Sequence, residues 1–327
     1  MRTSLASVAL VSGALVGALG CGGDDDDGDG TPAAIAPGDL DASRPFVPID
    51  GGPALEPGMM TVNLRFKGKV GSEDLVCGQR YAALGSSGIA GKAQDFRFFV
   101  HNVRLIGEGG AEVPVQLDDK PPFQSKELAL LDFTDGRGSC TSGAAQSNTV
   151  LHGKVPVGKY TGIAFATGVP ETLNHADPAL APPPLKAPGA FWTWRQGYRF
   201  VLAELNVNEG LPARDGGADP GASAGHGGAV AIPGLVIAHF GSEGCIGGIG
   251  SFSCAKPNRG EIKLASFDPV TQSVVADLGA LFSPIDLTRA VQCHGSGGSI
   301  CDPMLATFGI DLASGQPLAT QQVFRAE

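Results

Sequence analysis

Phe191-Trp-Thr-Trp-Arg-Gln-Gly-Tyr198 holds both tryptophans of the chain, Trp192 and Trp194, one residue apart. An indole can pack, or it can give up electrons to a redox partner. His175 lies just upstream in the polar stretch Leu173-Asn-His-Ala-Asp177, and His239 sits inside the apolar run Leu235-Val-Ile-Ala-His-Phe240. Neutral imidazole is a good copper ligand in either oxidation state. Together these four residues point toward redox and metal chemistry. Plainer readings stand beside that one. Alternate residues of a strand share a face, so the two indoles can simply pack on a sheet. Each histidine can instead hydrogen-bond to its surroundings and anchor a loop, and a buried strand histidine needs a partner for each ring nitrogen. Asn174 or Asp177 is placed to hold the His175 ring in one tautomer.

The remaining chemistry-bearing residues say less. His152 in Leu151-His-Gly153 and His226 in a glycine-rich stretch read as surface residues. His294 falls inside the short interval between Cys293 and Cys301 and reaches a metal only if that loop folds inward. Met59, Met60 and Met304 do not form the array of a thioether copper carrier. The chain has no Gly-x-Ser-x-Gly elbow, Walker loop, His-Glu-x-x-His or dinucleotide fingerprint. No catalytic residue is expected, and the chain does not read as an enzyme.

Six cysteines lie beyond residue 21: Cys77, Cys140, Cys245, Cys254, Cys293 and Cys301. An even number in an exported chain implies disulfides. Counting leaves the connectivity open; the simplest arrangement closes two local loops, Cys245 with Cys254 and Cys293 with Cys301. Cys77 and Cys140 then form a long-range staple. Oxidised sulfurs are not thiolate ligands, and no C-x-x-C spacing suggests zinc or a thioredoxin-type pair.

What must position these groups is a β-rich domain. Residues 1–20 read as a lipoprotein-type signal peptide, with Arg2 ahead of an apolar run too short to span a membrane. Ala18-Leu-Gly-Cys21 is similar to a lipobox, making Cys21 the expected lipidation site. Gly22, in place of an aspartate after that cysteine, favours outer-membrane attachment, with membrane contact through Cys21 alone. Residues 21–58 are an acidic Gly/Pro/Ala-rich tether. Asp25-Asp-Asp-Gly-Asp-Gly30 opens like a calcium loop, but Ala33 and Ala36 stand where its later ligands belong. The net charge of −10 makes nucleic acid an unsuitable partner.

From residue 59 to 327, period-two apolar runs dominate. Thr61–Lys67 alternates with Val62, Leu64 and Phe66 on one face. Asp95–Ile106 reads as a long strand or a bent pair. Further strands are expected at 113–117, 128–133, 149–155, 160–167, 198–207, 235–240, 261–267 and 321–325. Forty-nine glycines and 24 prolines supply the turns. Short helices are expected near Asp277–Phe282 and Pro303–Phe308, and residues 209–228 read as a flexible surface insertion. The fold class is all-β: one disulfide-stapled, β-sandwich-like domain with long loops.

Several short blocks occur in a set order. They are Val100-His-Asn-Val-Arg-Leu105 after Asp95-Phe-Arg-Phe98, Leu130-Leu-Asp-Phe133 before Cys140, and Gly158-Lys-Tyr160 before Gly168-Val-Pro170. Then follow Leu173-Asn-His175, the aromatic block Phe191–Phe200, His239-Phe-Gly-Ser-Glu-Gly-Cys245 and Cys254-Ala-Lys-Pro-Asn258. This order resembles the MbnP-like proteins, the four-cysteine half of the metallo-mystery pair, over about residues 60 to 326. Cys77, Cys140, Cys245 and Cys254 fit that pattern, and Cys293 with Cys301 is an additional pair. His101 departs from it, standing where a small polar residue is usual. The resemblance implies a copper-associated exported protein whose partner is a di-haem cytochrome c peroxidase-like protein (MbnH-like). It further implies oxidation of one tryptophan, Trp192 or Trp194, to kynurenine by that partner. Related copper proteins, CorA and MopE, bind copper through histidines beside such a residue, which makes His175 and His239 the implied ligands.

Overall fold

A computed structural model of the chain describes residues 58–140, 145–208, 234–248, 252–295 and 300–327. The expected signal peptide, Cys21, the tether short of Gly58 and the 209–228 insertion lie outside the described residues. In chain order come β1 (Met59–Val70), β2 (Glu73–Asp74), β3 (Arg80–Leu84), β4 (Ile89–Gly107), β5 (Glu112–Pro114), β6 (Gln116–Leu117), β7 (Leu128–Asp132), β8 (Val150–Pro156) and β9 (Tyr160–Thr167). Next are α1 (Glu171–Asn174), β10 (Phe191–Thr193), β11 (Gly197–Tyr198), β12 (Val201–Asn206), β13 (Leu235–Phe240), β14 (Glu243–Ile246) and β15 (Ser253–Lys256). The chain ends with β16 (Glu261–Leu264), β17 (Ser273–Asp277), α2 (Leu278–Phe282), β18 (Gln292–His294), α3 (Asp302–Thr307) and β19 (Phe324–Ala326).

Two packed sheets account for most of these strands. One runs β19-β17-β1-β8-β6, with β2 added to β1. The other runs β16-β9-β4-β12-β13-β18, with β3, β5 and β7 also on β4. The β10–β11 and β14–β15 pairs are separate two-stranded ribbons. Alternation builds the core between the sheets. Val62, Leu64 and Phe66 of β1 are buried while Thr61, Asn63, Arg65 and Lys67 are exposed. Phe66 from the first sheet meets Phe165 of the second edge to face at 5.7 Å. Phe324 does the same with Phe98 at 5.4 Å and with Phe165 at 5.5 Å. Aromatic residues of this size dominate core energetics.

The long apolar run is one strand rather than two. β4 spans 19 residues, and a bulge between His101 and Arg104, with Asn102 at φ 49°, bends it. Its first half pairs with β12 and its second with β9. Two other expected strands divide. Residues 113–117 break at Val115, because β5 joins β4 in one sheet while β6 joins β8 in the other. Residues 198–207 break at Arg199 and Phe200, whose amides bond to Ala190 and Phe240 outside the β12 ladder. β17 shows no alternation because all five of its residues are buried, against β1 on one side and β19 on the other. Both expected helices form, and Asp277 caps α2 by accepting from the Ala280 amide at 3.1 Å. The disulfides are Cys77–Cys140, Cys245–Cys254 and Cys293–Cys301. No helix among the described residues is long and apolar enough to cross a membrane.

Candidate metal centre

β13 lies between antiparallel β12 and parallel β18, and this sandwiching determines what surrounds His239. Its register partners are Leu202 on β12 and His294 on β18. Directly opposed residues point to the same face of a sheet, so the two imidazoles meet. Their ring centroids are 5.4 Å apart at 62°. The same registry extends across the sheet. Leu202 opposes Arg97 on β4, and Glu204, two residues on, opposes Asp95. Asp95, Arg97, Glu204, His239 and His294 therefore share one face of the nine-stranded sheet. Phe96, Phe98, Val201, Ala203, Ala238 and Phe240 share the other, and all are buried.

The polar face is buried as well, and its groups are paired. Arg97 grips both oxygens of Asp95, Nε at 2.7 Å and Nη2 at 2.5 Å, and donates to the Pro188 carbonyl at 3.0 Å. Burial pushes the Asp95 carboxyl up to about 6, against the pull of Arg97. His239 is 5 % exposed, and its Nε2 lies 2.9 Å from Oε1 of Glu204. Its Nδ1 is buried and has no hydrogen-bond partner. Buried polar atoms without a partner are rare and need an explanation. Burial lowers the pKa of His239, with Glu204 opposing, and lowers that of His294, with His239 adding to the effect. Both rings are held neutral, the form that ligates metals.

Trp192 closes one side of this group. Its ring centroid lies 6.4 Å from that of His294, and the Arg199 guanidinium stands 5.3 Å over it. Gly241 follows the strand carrying His239 for a steric reason. A Cβ there would lie 2.7 Å from Cζ3 of Trp192 and 2.6 Å from the Tyr198 carbonyl oxygen. A cavity of about 310 Å³ opens beside Trp192 and His294, with Arg195, Glu243 and Cys245 also on its wall. The Cys293–Cys301 disulfide anchors the strand bearing His294: Cys293 is fully buried opposite Ala238, on the core face.

His175 has a separate set of partners. Among the described residues the ring in contact with His239 is His294, and the ring in contact with His175 is Phe252, stacked at 4.3 Å and 19°. His175 follows α1. Its Nδ1 donates to the Trp194 carbonyl at 2.8 Å, which leaves Nε2 to accept from Asn174 Nδ2 at 3.1 Å. Asn174 in turn accepts from the Tyr198 amide at 2.9 Å, tying α1 to the aromatic ribbon. His175 Nε2 also lies 3.3 Å from Sγ of Cys254. The donor atoms of His175, Cys245 and Cys254 lie within 4.8 Å of one another, but the two sulfurs are joined to each other and offer no thiolate. Both nitrogens of His175 have partners, so its ring ties loops together.

The two indoles differ likewise. Trp194 is 39 % exposed and rests edge-on against Phe191 at 6.1 Å, whereas Trp192 borders the cavity and His294. His101 and His152 stand apart, bonded to the Gly168 carbonyl at 2.9 Å and to Asn63 at 2.7 Å; His226 lies outside the described residues. The sequence placed His294 at a metal only if its loop folds inward, and did not single out Glu204. Only the alternation of Glu204 with apolar neighbours in Val201-Leu-Ala-Glu-Leu205 signalled a buried carboxylate, and nothing local marked His294.

The donor set suits copper: two neutral imidazoles, one with a buried nitrogen lacking a partner, beside an aromatic group and an open cavity, with no thiolate. Comparison with known proteins bears on the same residues. The MbnP family model matches residues 59–295. Among solved structures the chain is similar to MbnP from Methylosinus trichosporium, with a TM-score of 0.64 and 27 % identity. That likeness covers 82 % of this chain and 98 % of the other. No curated protein sequence matches.

Proposed function

The chain belongs to the MbnP family, and from that premise we propose that it is a non-catalytic, exported binding protein that holds copper at His239 and His294. The observation that carries this reading is the buried, unpartnered Nδ1 of His239 in a ring packed against a second neutral imidazole. Bound there, copper would supply a redox-active cation; the chain's own residues position it. β13 and β18 hold the two rings side by side, and the neighbouring burial favours the neutral form of both. In this reading Trp192, not Trp194, is the tryptophan oxidised to kynurenine. Its place between His294, Arg199 and the cavity means that ring opening would leave a ketone and an arylamine beside the imidazoles. The oxidant is peroxide used through a di-haem cytochrome c peroxidase-like partner. Two equivalents cleave the indole C2–C3 bond, adding two oxygens and leaving two waters, and hydrolysis then releases C2 as formate. Attachment through a lipidated Cys21 puts the protein at the outer membrane.

Equilibrium dialysis against copper tests the centre. Wild-type protein and His175→Ala are expected to retain the metal, while His239→Ala and His294→Ala lose it. Equal retention by all four would remove the centre from these residues. Peptide mass analysis of protein co-expressed with its haem partner tests the oxidation. Kynurenine at residue 192 is the expected result, and a modification confined to 194, or none, would overturn that assignment.

A further inference from the structure

We propose that Glu204 is a positioning residue: its carboxylate holds the proton of His239 on Nε2 and so makes Nδ1 the atom presented for metal binding. The inference rests on the copper reading above but concerns a residue that neither the aromatic block nor the histidine pattern draws attention to. An ionised carboxylate has no proton to give, so an imidazole nitrogen 2.9 Å from it must be the donor. A neutral ring carries one proton. With that proton on Nε2, the lone pair sits on Nδ1, the buried atom without a hydrogen-bond partner.

The fold leaves His239 little choice. Glu204 is 8 % exposed and projects from β12 on the same face as His239, diagonally across the ladder from it. Asp95, opposite Glu204 on β4, already has both oxygens engaged by Arg97, so Glu204 is the carboxylate that serves the histidine. Arg97 and Arg199 lie close enough to act on His239 electrostatically. A carboxylate behind a ligating imidazole fixes the ring and makes the ligand more basic. The same contact that pairs one nitrogen leaves the other buried, where a lone pair without a donor is unfavourable.

Two measurements on the full chain separate this inference from the copper reading. In metal-free protein carrying ¹⁵N-labelled histidine, wild-type His239 is expected to show a protonated Nε2 and an unprotonated Nδ1. Glu204→Gln, which keeps the shape but can offer either an oxygen or an NH₂, and Glu204→Leu, which offers neither, are expected to place the proton on Nδ1 in a substantial fraction of molecules. Copper affinity is then expected to fall about 10- to 100-fold in both variants, with His294 intact. The isosteric Gln variant keeps the test alive should the Leu variant not fold. An unchanged tautomer in Glu204→Leu overturns the inference, as does wild-type copper affinity in Glu204→Gln. A wild-type protein that binds no copper instead overturns the preceding reading, while the nitrogen spectra still decide what Glu204 does.

Discussion

His175 and His239 are both nearly buried, 7 % and 5 % exposed, yet their ring nitrogens are partnered differently. His175 has a carbonyl on one nitrogen, an amide on the other, and a phenyl ring on its face. His239 has a carboxylate on one nitrogen and nothing of the protein on the other. A histidine whose every atom is paired is a rivet between loops. A histidine left one partner short, beside a second one, is poised for something the chain does not supply. Burial alone does not separate the two cases; the inventory of partners does.

The sharpest way to break this comparison is to measure copper in the three single variants. Removing His239 or His294 is expected to cost most of the copper affinity, since each supplies one of two nitrogen ligands, while His175→Ala keeps wild-type affinity. A copper defect in His175→Ala would erase the distinction.

The disulfides sharpen it in a second way, by separating stability from positioning. Cys77 and Cys140 are 63 residues apart, Cys293 and Cys301 only 8. Chain-entropy reasoning gives the long closure about 4 kcal/mol and the short one about 2–3 kcal/mol. Chemical denaturation of Cys77→Ser/Cys140→Ser should show the larger loss of stability. Copper dialysis of Cys293→Ser/Cys301→Ser should show the larger loss of binding, because that pair anchors β18.

Acid provides the next test, through a histidine on neither side of the comparison. Burial pushes the pKa of His101 down to about 4 from an ordinary 6.5. Between those values the unfolded chain takes up a proton that the folded one refuses. The stability this contributes is complete above pH 6.5 and is lost as the pH falls toward about 4, by up to about 3 kcal/mol. Denaturation curves at pH 7 and pH 4.5 should show part of that loss, and His101→Gln should flatten it. The smallest expected effect is that of His175→Ala on folding, about 1–3 kcal/mol from the partners it leaves unpaired, read as a lowered denaturation midpoint.

Much of the frame was legible along the chain. The alternation of Val62, Leu64 and Phe66, the cysteine pairing by proximity, and the two short helices all appear where the residues imply them. The candidate site was legible only in part. His239 stood out as a polar residue in an apolar strand, and Trp192 by its rarity. His294 did not, because β18 is three residues long and has no period to read. His175 carried no clearer signal: an Asn-His turn reads the same whether its nitrogens are free or taken.

Local pattern thus determined that this protein is β-rich, cross-linked and equipped with rare indoles and imidazoles, since side-chain alternation and cysteine parity are properties of neighbours in sequence. Tertiary structure decided which imidazoles meet. His239 and His294 are 55 positions apart and become partners only through the parallel register of β13 with β18. That register is set by the packing of a whole nine-stranded sheet, not by either segment. The same packing buries Glu204 beside one ring nitrogen and leaves the other without a partner.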